Sequence, residues 1–104
     1  MEGGIFVVQM DVPPHLEDDF NRIYDTQHIP EITKVPGVRG CVRYRLANSD
    51  VAGVPRYMAI YYVDSAEVPN SSAWKAASEK GDWATVIRPH VTNRIRSFLE
   101  RLPA

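Results

Sequence analysis

The sequence predicts an α+β domain with the order strand, helix, strand, strand, helix, strand. This is the ferredoxin-like βαββαβ arrangement, an antiparallel sheet with helices on one face. Three observations predict it. Apolar residues alternate with period 2 through residues 38–46, and a second β-rich run, apolar on both faces, fills residues 56–63. An apolar stripe with helical spacing, Leu16, Phe20, Ile23 and Tyr24, follows the first strand-like run. Proline, glycine and serine punctuate the intervals. With 104 residues the chain is expected to form a single domain over residues 1–104.

The elements follow in order. Ile5 to Met10 is β-branched and aromatic and reads as the first strand. Pro13-Pro14, then Glu17, Asp18 and Asp19, mark a helix start, because proline suits the first helical position and acids suit the first turn. Pro30 is expected to end that helix, since proline lacks an N–H and restricts the residue before it. After the Pro36-Gly37 turn, Val38, Gly40, Val42, Tyr44 and Leu46 alternate with Arg39, Cys41, Arg43 and Arg45, which are assigned to a polar face. Arg56 to Val63 reads as the third strand, apolar on both faces. Ser71 N-caps a second helix to Lys80, Gly81 ends it, and residues 83–87 form a short helical turn. His90 to Leu99 reads as the fourth strand, with His90 at its start beside Arg88.

Two helices cover only one sheet face. The other is expected to be buried by a second copy of the chain, with Tyr57, Ala59, Tyr61 and Val63 as the uncovered set. Formal net charge is -1, so no basic footprint points to nucleic acid. The single cysteine, Cys41, permits no intrachain disulfide and no cysteine-based metal or redox motif. The apolar run at residues 5–10 is too short to span a bilayer and has no basic flank, so a cytoplasmic protein without a membrane partner is expected.

The segment richest in chemistry is Tyr24-Asp25-Thr26-Gln27-His28-Ile29-Pro30-Glu31. Steps of four from Leu16 through Phe20 and Tyr24 reach His28, so its ring should share the core-facing stripe. If Pro30 ends the helix, His28 sits at a C-terminus, where the dipole favours imidazolium at about 1 kcal/mol or less. Imidazole titrates near the pH at which proton shuttling is efficient, and Tyr24 one turn away can donate to a developing enolate oxygen. A capping or surface histidine and a packing tyrosine are the plain alternatives. No metal set is read from His15, His28 and His90, which fall in distant segments, and no cofactor motif is present.

These motifs give the chain a family resemblance. Residues 20–25 followed by His28-Ile29-Pro30-Glu31, then Val35-Pro36-Gly37-Val38, Arg43-Tyr44-Arg45 and Arg88-Pro89-His90, resemble the dimeric α+β barrel superfamily. Within it the chain is similar to the branch related to the ethyl tert-butyl ether degradation protein, called EthD-like. The resemblance implies a homodimer of face-to-face sheets, with a pocket in each subunit between its sheet and helices. It implies His28 as a proton carrier; Tyr24, one turn away, and His90, beside Arg88, are the further catalytic candidates by position. Tyr44, Tyr62, Trp74 and Trp83 are the expected substrate-binding walls. The implied activity is cofactor-independent isomerase, cyclase or lyase chemistry on an oxygenated aromatic, lactone or polyketide-like compound. A cofactor-free or haem-linked monooxygenase and a non-catalytic small-molecule-binding or accessory protein are the alternatives.

Overall fold

The structure, a computed structural model, describes residues 3–103. Four strands, β1 (Gly4–Asp11), β2 (Val38–Arg45), β3 (Tyr57–Val63) and β4 (Thr92–Glu100), form one antiparallel sheet in the order β2-β3-β1-β4. Between β1 and β2 run α1 (Glu17–Ile23), a π-helical turn (Tyr24–His28) and α2 (Ile29–Ile32). Between β3 and β4 lie α3 (Ser72–Ser78), a second π-helical turn (Trp83–Ile87) and a 3-10 turn (Arg88–His90). The βαββαβ order is therefore as expected, and His90 precedes β4 rather than opening it. No helix among the described residues is long and apolar enough to cross a membrane.

Local chemistry accounts for the connections. Gly37 has φ +93°, a conformation natural to glycine, and closes the turn into β2. The Ser71 hydroxyl accepts from the Trp74 N–H at 3.2 Å and caps α3, so the cap also fixes where Trp74 starts its turn.

The core lies between the sheet and the helices. Phe6, Val8 and Met10 of β1 and Tyr57, Ala59, Tyr61 and Val63 of β3 pack against Phe20, Ile23, Ile32, Trp74 and Ile87. This reverses the expected sidedness of β3. Tyr57, Ala59, Tyr61 and Val63 are the covered set, while Met58, Ile60 and Tyr62 face outward. Alternation separates two sets of side chains but, when both are apolar, does not say which meets the helices. Cα extents are 41 × 36 × 17 Å, the thickness of one sheet and one helical layer. The outer face stays open and apolar, with Val42, Tyr44, Tyr62, Ile95 and Leu99 all exposed.

Candidate active site

The helix that carries His28 does not stop at Pro30. Backbone angles remain right-handed through Tyr24 (-60°, -48°), His28 (-69°, -52°) and Ile29 (-58°, -47°), and the segment ends only at Thr33. The Ile29 N–H donates to the Tyr24 carbonyl, an i−5 bond. The wider turn puts Pro30 at the restart of helical register, where a missing N–H and the ring's bulk are tolerated. Trp83–Ile87 repeats the device: the Arg88 N–H donates to the Trp83 carbonyl, and Pro89 follows. Single π-helical turns of this kind recur at functional sites.

His28 is consequently inside the fold, 6% exposed, on a stripe that runs Phe20, Tyr24, His28, Ile32. Its ring stacks on Trp83 with centroids 4.4 Å apart and planes at 29°. Tyr24 meets it edge-on at 4.8 Å and meets Trp83 at 5.2 Å. The Gln27 amide locks the two π turns together: its Nε2 donates to Asp82 at 2.9 Å, and its Oε1 accepts from the Asp82 N–H at 3.0 Å. One side chain thus sets the spacing between the turns that carry His28 and Trp83.

These rings wall a cleft of about 350 Å³ between the sheet and the helices. Phe6, Val8 and Met10 form its floor, and Trp74 and Trp83 flank it. The hydroxyls of Tyr24 and Tyr61, both almost fully buried, are bonded to each other at 2.6 Å. Burial raises the pKa of both phenols, so each stays protonated. The Cys41 thiol beside Tyr61 is pushed up to about 11, again chiefly by burial, which makes it a poor nucleophile. Behind Tyr24 the Arg43 guanidinium lies 4.6 Å from the ring centroid and donates to Asp25 at 2.9 Å and Asn21 at 2.8 Å. Arg43 therefore belongs to the helix-facing side of β2, not to an outward polar face.

The imidazole is in a different state from the one expected. Burial, and secondarily the positive charge of Arg88, lowers the His28 pKa to about 3. It is neutral at pH 7, with one N–H and one lone pair. Its Nδ1 is buried with no hydrogen-bond partner among the described residues. The helix dipole plays no part, because the helix does not end there.

The structure brings together four of the sequence-selected residues, Tyr24, His28, Trp74 and Trp83. It separates the other three. Tyr44 pairs with Met58 across the sheet, and both it and Tyr62 lie on the open face, away from the cleft. His90 is exposed in the turn before β4 and does not line the cleft; Arg88, two residues earlier, does. Tyr61, which the sequence also offered as a central-strand tyrosine able to line a pocket, does so; Lys75, Arg88, Arg94 and Arg96 are lining residues that sequence reasoning missed. The arginine-rich run at residues 94–101 was the available signal for two of them.

The fold and cleft together define a ferredoxin-like α+β domain with a small-molecule-sized cavity between sheet and helices. A solved structure with this fold is an EthD family protein from Bacillus halodurans, 20% identical, with TM-score 0.66, matching 98% of this chain and 100% of that one. At that identity the likeness is one of fold, and it agrees with the EthD-like resemblance of the motifs. No family model and no curated protein matches the chain.

Proposed function

We propose that the protein is a small-molecule enzyme performing cofactor-independent acid–base chemistry on an oxygenated aromatic, lactone or polyketide-like compound. The observation that carries this is the buried, unpartnered imidazole of His28 beside the Tyr24–Tyr61 hydroxyl pair on one cleft wall. An unpaired buried polar atom costs about 1–3 kcal/mol, and such a cost at a cavity wall points to use rather than to packing. In the reaction, neutral His28 takes a proton from a carbon next to a carbonyl and returns it elsewhere on the same molecule. The carbonyl oxygen gains charge and accepts from the tyrosine pair, which has one hydroxyl proton left after its internal bond. Isomerisation, cyclisation and elimination all begin with this abstraction and differ in where the proton goes from His28: to another carbon, to the oxygen of the carbonyl attacked in ring closure, or to the departing group.

A second reading has an observation of its own. A base with a pKa near 3 provides little driving force for proton abstraction, which favours a non-catalytic binding protein. A panel of phenolic, lactone and polyketide-like compounds, tested for turnover and for binding, separates the two. The variant to use is His28→Gln, because His28→Ala would open a hole against Trp83 in a packed core. For the enzyme, His28→Gln stays folded and loses about 10²–10⁴-fold in turnover. Full turnover in His28→Gln overturns the mechanism, and binding without turnover in the parent protein supports the second reading.

The same proposal includes a homodimer. A second copy laid over Val42, Ile60, Tyr62, Ile95 and Leu99 would cover the open face, which is otherwise too apolar to leave in water. A cytoplasmic setting fits a chain whose lone cysteine is half-buried and unpaired.

A further inference from the structure

The cleft is apolar below and basic above. Lys75, Arg88, Arg94 and Arg96 line it, with Glu79 as the one acid. Glu79 is already committed, because Arg88 donates to both of its oxygens at 2.9 Å. Among the described residues Lys75, Arg94 and Arg96 form no ion pair, although most of the chain's other cations do. Three positive charges therefore face one small cavity without a counter-charge among the described residues.

The arginines of β4 are also built into place. The β1–β4 register shifts between Gln9 and Asp11, so Asn93 and Arg94 together stand opposite Met10. This is a β-bulge, a feature that often re-aims side chains beside sites. Asn93 takes φ +53°, a left-handed conformation that asparagine tolerates better than most residues. Its Nδ2 donates to Asp11 Oδ2 at 3.0 Å and to the Gly53 carbonyl at 2.9 Å, which pins the bulge. Two residues on, the Arg96 guanidinium lies 5.0 Å from the centroid of Phe6 on the cleft floor, held inward by the ring.

Taking the cleft as the ligand site proposed above, we infer that its ligand is a small aromatic carboxylate, with its ring among Phe6, Trp74 and Trp83 and its carboxylate held by Arg94 and Arg96. The chemistry follows from shape and charge. A planar guanidinium matches a carboxylate through paired N–H donors, and aromatic walls favour a flat body. A cavity of about 350 Å³ is at the small end of ligand pockets, which suits a molecule of one or two rings. The anion would supply the counter-charge that the three free cations lack.

The chain's two tryptophans both line the cleft, so intrinsic fluorescence reports on it directly, with calorimetry as a second readout. The probes are benzoate, salicylate and 1-naphthoate, each against its primary amide, which keeps the ring and removes the charge. Each acid is expected to bind at least about tenfold more tightly than its amide, and the gap should shrink as salt is raised. Arg94→Gln and Arg96→Gln should each weaken acid binding about tenfold or more while leaving amide binding unchanged. Arg101→Gln, which removes a cation beyond the cleft, should change neither. Acids and amides binding equally would overturn the anion proposal while leaving the cleft as a ligand site. Undiminished acid binding in both arginine variants would overturn it as well. If neither acids nor amides perturb the tryptophans, the cleft reading itself fails and takes this inference with it.

Discussion

Tyr61 and Tyr62 are neighbours in sequence and opposites in environment. Tyr61 is 1% exposed and bonded through its hydroxyl to Tyr24, with Trp74 edge-on at 5.0 Å. Tyr62 is 44% exposed on the outer face. The contrast extends over the whole sheet. The helix-covered face is packed with rings and holds the Tyr24–Tyr61 hydroxyl pair beside a cleft in which His28 Nδ1 has no partner among the described residues. The open face is aliphatic and aromatic but has no cover among the described residues. Under the proposed function one face carries chemistry and the other assembly, and the division is made by alternate residues of the same strands.

The comparison breaks most directly at its two tyrosines. Tyr61→Ala should cost about 3–5 kcal/mol in urea unfolding, since it opens a cavity and strands the Tyr24 hydroxyl. Tyr62→Ala should cost less than about 1 kcal/mol at protein concentrations too low for self-association. Equal losses would mean that the two faces are not distinct. Next in size, Ile60→Asp places a charge in the middle of the open face. It should weaken self-association by about 100-fold or more in sedimentation, with little change in the far-ultraviolet spectrum. A parent protein that sediments as a monomer at micromolar concentration would remove the assembly role from this face.

On the covered face, acidity should act through His28. Its folded pKa of about 3 lies below the unfolded value near 6.5, so between these limits the unfolded chain binds the extra proton. Stability from this group is complete above about pH 6.5 and falls as pH drops toward 3, by up to about 1.4 kcal/mol per pH unit. Denaturation midpoints measured from pH 7 to pH 4 should show this slope, and His28→Gln should flatten it. An unchanged slope in the variant would place His28 in water. The smallest expected effect concerns the cap that positions Trp74. Ser71→Ala should lower stability by about 1 kcal/mol, read as a small drop in melting temperature.

Much of this molecule was decided by its own sequence. The order of the six main elements, the Pro36-Gly37 turn, the Ser71 cap and the placing of His28 on one stripe with Tyr24 all rest on short-range rules of propensity, capping and period. Those rules are local, and so were these features. Three others needed the tertiary structure. Pro30 reads as a helix stop, yet the π-helical turn before it accommodates the ring and lets the helix run to Ile32, which carries His28 into the core and depresses its pKa. The inward face of β3 was undecided because both of its sets are apolar, and only contact with Tyr24 and Trp74 selects Tyr61 over Tyr62. The basic rim joins Arg88 to Arg94 and Arg96 across a bulge in β4. Alternation and spacing define which side chains travel together. Which side they face, and what they meet there, depends on elements far away in the chain, whose packing no local pattern encodes.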